Sequence, residues 1–172
     1  TDLAVLQRGK PILKDEGAKV GGWLTRVKAA EITTIGLGGD SHVRVSRGGI
    51  LSVGPQKVFP LSWSAAEYPY LLDELRALSD SAFSPLEAQP TCILFFSRTP
   101  DESVLNPAEK QVLDLIREGP HTLYMTGKIL RKDANLIPWK RLVNLGAIHR
   151  ANLTPTDILH AGGIFTDWST EA

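Results

Sequence analysis

The sequence predicts a mixed α/β fold of the α+β kind, with strands gathered early and short helices late. Three observations carry this expectation. Short apolar or alternating runs, broken by Gly and Pro, fill residues 2–55. Thr91-Cys92-Ile93-Leu94-Phe95-Phe96 is continuously apolar, as a strand buried on both faces would be. After Asn106 the spacing turns helical, and cap-Pro-x-acid signatures appear twice. The 172 residues are 42% hydrophobic and 22% charged, an ordinary globular balance. A chain of this size hides about 70% of its unfolded surface, enough for a real core.

The elements follow in order. Residues 2–6 form an apolar run, Arg8-Gly9-Lys10-Pro11 supplies turn residues, and Ile12-Leu13 resumes the run, which predicts a hairpin. Gly17, Gly21 and Gly22 mark a polar connection, and Ala29 to Ile35 reads as a strand. Ser41-His42-Val43-Arg44-Val45-Ser46 alternates like a half-buried strand. Arg47-Gly48-Gly49 turns the chain, and Ile50 to Pro55 returns as the partner strand. Pro60 to Pro69 reads as irregular, with Trp63 inside it. Leu71, Leu72, Leu75 and Leu78 have helical spacing, and a turn-rich stretch from Ser79 to Pro90 leads to the apolar hexapeptide.

Asn106-Pro107-Ala108-Glu109 opens a helix: Asn106 caps, Pro107 fits the first helical position, and Glu109 bonds back to the cap. Val112, Leu113, Leu115 and Ile116 give it an apolar face, and Gly119-Pro120 stops it. Further short helices are expected at Leu123 to Arg131 and Pro138 to Leu145, then a strand at Ala147 to Arg150. Thr154-Pro155-Thr156-Asp157 repeats the capping signature and starts a last helix, running to about Ala161.

Composition excludes several function classes. Nineteen basic residues balance nineteen acidic ones, so the whole chain is no electrostatic trap for nucleic acid or anionic lipid. No apolar run approaches the roughly 20 residues needed to cross a bilayer, so no membrane role is expected. Cys92 is the single cysteine, which rules out an internal disulfide and a multi-cysteine metal site. In a strand this apolar it reads as inert packing. His42, His121, His149 and His160 are scattered, with no metal-ligand spacing. With no signal-peptide pattern at Thr1, a cytoplasmic origin is the default. A strand-like start without Met suggests a piece of a longer chain.

The glycine cluster Gly36-Leu37-Gly38-Gly39-Asp40-Ser41 is the main candidate for chemistry. Glycines let a backbone approach a ligand closely, and successive N–H groups can cradle phosphate. Ser41 could add a hydroxyl, and Asp40 could hold Mg²⁺ directly or through water. A plain turn is the competing reading. The cluster matches neither a Walker A loop nor a dinucleotide fingerprint.

The helices of residues 104–153 resemble a winged helix, with Leu142 to Ile148 as the end of a recognition helix turning into a wing. Between Val104 and Leu153 there are eight Lys/Arg and four Asp/Glu, a mild excess. That is little phosphate neutralisation, so DNA is not the expected partner.

Four blocks then carry a family resemblance. Thr1-Asp2-Leu3-Ala4 looks like the end of the G-G-T-[ST]-T-D-[IV]-A segment of the hydantoinase A/5-oxoprolinase family. Thr34 to Ser41 is similar to its T-I-G-x-G-G-x-S segment, and Ile50 to Pro55 resembles the G-x-[IL]-x-[IV]-G-P that follows. Leu153-Thr154-Pro155-Thr156-Asp157-Ile158-Leu159-His160 looks like L-T-P-T-D-[AI]-L-H of one branch. The blocks occur in order and cover about 30 residues, whereas 58–150 match no motif of the family.

The resemblance implies part of a ribonuclease-H-like, actin-like ATPase fold. Residues 1–98 would be its β-rich part, 104–153 a winged-helix-like insertion, and 154–172 a helix returning to the ATPase-like domain. It implies ATP-dependent ring opening of a cyclic amide such as a hydantoin or 5-oxoproline, with ATP and Mg²⁺ as cofactors. Thr1, Asp2, Gly36, Gly38, Gly39 and Ser41 would face the nucleotide, and Asp40, where the family more often has Gly, would contact the metal. The partner would be the remainder of the same polypeptide or another subunit, without which the nucleotide cleft is half built. A homo-oligomer stays open, as does a non-enzymatic module contacting DNA or protein through the winged-helix-like unit.

Overall fold

The computed structural model describes residues 2–17, 19–20, 23–25, 27–34, 36–46, 49–79 and 91–172. Thr1, the Arg47-Gly48 part of an expected turn and residues 80–90 lie outside the described residues. The chain divides into two compact units, Thr1–Gly38 and Gly39–Ala172.

The first unit is a set of nested antiparallel pairs. Its strands are β1 (Asp2–Ala4), β2 (Leu6–Gln7), β3 (Lys10–Pro11), β4 (Leu13–Lys14), β5 (Lys19–Val20), β6 (Trp23–Leu24), β7 (Ala29–Ala30) and β8 (Ile32–Thr34). β1 pairs with β8, β4 with β7 and β5 with β6, so each pair encloses the next. β2 and β3 form the expected first hairpin, budding from the side of this ladder. Arg8 and Gly9 at its turn have φ of 52° and 77°. Two consecutive left-handed residues give the turn twist that matches the flanking strands. Pairs this short bury little: Leu3, Val5, Leu6, Leu13 and Trp23 are exposed.

The second unit begins with a hairpin, β9 (Ser41–Val45) and β10 (Leu51–Lys57). Next come α1 (Leu61–Glu67), α2 (Tyr70–Ser79) and β11 (Ile93–Phe96). The chain continues through α3 (Pro107–Glu118), β12 (His121–Thr122), α4 (Leu123–Leu130), α5 (Trp139–Asn144), β13 (Ile148–Ala151) and α6 (Pro155–Ala161). β11 is the middle strand of a three-stranded antiparallel sheet between β12 and β13.

The continuous apolar run around β11 is explained by two cores. Successive strand side chains point to opposite faces. Leu94 packs with Val112, Leu113, Ile116, Leu123 and Leu142 on one side. Ile93 and Phe95 pack with Leu61 and Leu71 on the other. Burying a side chain of this size contributes about 1.5–3 kcal/mol, so β11 anchors both layers.

Two expectations change. The stretch after Pro60, read as irregular, holds the helix α1, whose N-terminus is capped from far away in sequence by Asp157. In the winged-helix-like part, the segment after α5, expected to turn into a wing, forms the single strand β13 paired with β11. β13 runs on to α6, and β11, from before α3, takes the central place.

Candidate functional site

Two of the singled-out motifs meet within the second unit. The Gly39 carbonyl accepts from the Thr156 amide at 3.1 Å and from Thr156 Oγ1 at 2.8 Å, across 117 positions of sequence. Gly39 does not use a left-handed backbone here; it is needed for space. A Cβ at this position would stand 2.6 Å from Thr156 Oγ1. Ser41 is fully buried opposite Lys57 in the hairpin register.

Asp157 holds the other end of this junction. It is 3% exposed. Its Oδ1 accepts from the Ser62 amide at 2.8 Å and the Ser62 hydroxyl at 2.7 Å. Its Oδ2 accepts from the Thr154 amide and hydroxyl, both at 2.8 Å. One carboxylate thus caps α6 through a capping box and also the start of α1. His160 is equally structural. The Trp168 amide donates to its Nε2 at 3.2 Å, so Nδ1 carries the proton and donates to the Thr156 carbonyl at 2.9 Å. Its ring stacks on Trp168 at 5.4 Å.

The Asp40 carboxylate faces Lys57 Nζ at 3.1 Å, with both side chains largely in solvent. Beside them is a hollow of about 290 Å³, also walled by Phe59, Pro60, His149 and Arg150. His149 Nε2 lies 2.9 Å from Ser97 Oγ, and its ring meets Phe59 edge-on at 5.7 Å. Lys57, His149 and Ser97 carry no motif signal, and only the fold brings Lys57 and His149 to one hollow.

Mg²⁺ does not fit Asp40 in this arrangement. The lysine ammonium already neutralises the carboxylate, and no second carboxylate lines the hollow. Among the described residues there is no group of three or more His, Cys, Asp or Glu that could hold a metal ion. Phosphate is equally excluded from the side of Gly39 that Thr156 fills. Gly36 and Gly38 belong to the first unit, the former exposed and the latter partly buried. The Asp2 backbone pairs with Thr34 in β1 and β8, and Thr1 lies outside the described residues.

The remaining candidates are packing groups. Cys92 is buried, and its thiol is pushed up to about 12 by that burial, against the opposing field of Arg150. His121 Nδ1 pairs with Glu74 Oε1 at 2.6 Å, and Glu74 Oε2 accepts from the Thr122 amide at 2.7 Å, pinning β12 to α2. On the would-be recognition helix α5, Arg141 is committed to Glu109 at 2.7 Å and to the Val104 carbonyl at 2.8 Å. The would-be recognition helix is thus poorer in available charge than its sequence suggests. No described helix is long and apolar enough to cross a membrane.

Against family profiles, curated proteins and solved structures, the chain finds no match.

Proposed function

We propose that this chain is part of a hydantoinase/oxoprolinase-type hydrolase that opens a cyclic amide. One observation supports the reading above the others. Gly39 and Thr156, from two separately recognised motif blocks, lie in direct hydrogen-bonded contact. Motif blocks that serve one site must meet, whereas chance matches have no reason to.

The chemistry asks for charge management. An amide carbonyl is a poor electrophile, and opening the ring puts negative charge on its oxygen. ATP, when bound, would supply a phosphoryl group to activate that oxygen. ATP and Mg²⁺ enter this reading through the resemblance alone. This chain's own part is positional. Thr156 fixes Gly39, and Asp40 pairs with Lys57 at the rim of the hollow. The exposed apolar side chains of the first unit, Leu3, Val5, Leu6 and Leu13, are surface against which the rest of a cleft would pack.

The test is turnover by the complete polypeptide that carries this segment. Hydantoin and 5-oxoproline are supplied with and without ATP, and the ring-opened product is measured. Lys57→Gln is expected to lower kcat/KM at least tenfold with an unchanged melting temperature. No ring opening of either substrate, with or without ATP, refutes the proposal.

A further inference from the structure

A second cavity, of about 640 Å³, lies between the β9–β10 hairpin and the elements α5 and β13. Its size falls within the usual range for small-molecule sites. Arg44, Lys140 and Arg150 line it together with His42, and among the described residues its wall contains no Asp or Glu.

The arginines are the telling groups. One Arg44 amino group donates to the Gly54 carbonyl at 3.3 Å, while its Nε is buried without an acceptor. The Arg150 guanidinium lies over the Trp139 ring at 5.0 Å, and Lys140 Nζ reaches the same ring at 5.9 Å. No carboxylate among the described residues pairs with Arg44 or Arg150. Trp139 and Asn152 complete the wall with an apolar face and an amide.

We infer that this cavity binds a small phosphomonoester, its phosphate held by Arg44 and Arg150 and its body resting against Trp139. Arginine forks match phosphate oxygens two at a time. A phosphate monoester carries about −1.5 to −2 charges at neutral pH, which answers several cations better than one carboxylate does. The site shares Arg150 with the wall of the Asp40–Lys57 hollow, and it does not rest on the hydrolase reading.

The test is a titration of the intact chain with glycerol 3-phosphate at constant ionic strength, followed by Trp fluorescence and by melting temperature. Succinate is run in parallel. Saturable binding of glycerol 3-phosphate is expected. Arg44→Gln and Arg150→Gln should each weaken it at least tenfold, while Lys132→Gln should leave it unchanged. If Arg44→Gln fails to fold, Arg150→Gln carries the test. Absent saturation, or equal affinity in the arginine variants, overturns the site. Succinate binding as tightly as glycerol 3-phosphate overturns the phosphate assignment.

Discussion

Replacing Asp157 by alanine removes one carboxylate and strands four donors at once. Two of them, the Ser62 and Thr154 hydroxyls, can rotate toward other acceptors. The Ser62 and Thr154 amides cannot, because they are fixed at the first turns of α1 and α6. A buried amide left without a partner costs about 1–2 kcal/mol, so Asp157→Ala should lose about 3 kcal/mol of stability. Asp157→Asn should lose nearly as much, since its amide nitrogen would point a donor at two donors. Urea unfolding followed through Trp63, the neighbour of Ser62, is the suitable assay. With a slope of about 2 kcal/mol/M, the midpoint should fall by about 1.5 M at unchanged slope. Paired with Ser62→Ala, the double-mutant cycle should show coupling of about 1 kcal/mol. A loss below about 1 kcal/mol in a folded Asp157→Ala protein would refute the claim that this carboxylate joins the two helices.

Other perturbations test the same structure. Gly39→Ala should cost about 1–2 kcal/mol in urea unfolding, because Thr156 must give up its bond to the Gly39 carbonyl; in a Thr156→Ala background the added cost should largely vanish. Tyr70 donates its hydroxyl to the Pro120 carbonyl at 2.7 Å, and burial, with help from Glu74, pushes its phenol up to about 12. The folded state therefore keeps a proton that the unfolded chain sheds near pH 10. Stability should fall as pH rises from about 10 to 12, and Tyr70→Phe should flatten that part of the curve. The Cys92 thiol should resist iodoacetamide at pH 8 in the native protein and react once urea unfolds it, as mass spectrometry would show.

What the sequence revealed follows the range of the interactions involved. Asn106-Pro107-Ala108-Glu109 specifies a helix start within four residues, and the capping box forms as read, with both bonds at 2.9 Å. The apolar hexapeptide announces a strand covered on both sides, and the two cores around β11 bear this out. The helix α1 was illegible because its cap is Asp157, 95 positions downstream. The central position of β11 was illegible for a similar reason: strand order is settled by which apolar face fits between two helical layers, not by local pattern. Lys57 escaped notice in the candidate site because a lone lysine ending a strand carries no signal until the fold sets Asp40 against it.

The same distinction bears on how the motif residues divide their work. In Thr154-Pro155-Thr156-Asp157, each polar side chain is consumed by folding: Thr154 and Asp157 bond each other, Asp157 also binds Ser62, and Thr156 binds Gly39. His160 is likewise spent on Trp168 and the Thr156 carbonyl. A side chain with its bonds already made has little left for a substrate. The block reads as a clasp that fixes the glycine segment, not as a set of reacting groups. Groups able to meet a ligand are those the clasp leaves outside: Lys57 and Asp40 at one hollow, Arg44 at the other, and Arg150 in the wall of both. Substitutions in the clasp should therefore lower stability and activity together. Substitutions at Lys57 or Arg150 should change binding or turnover while the melting temperature stays put, and that contrast separates positioning residues from ligand-facing ones in a single mutant panel.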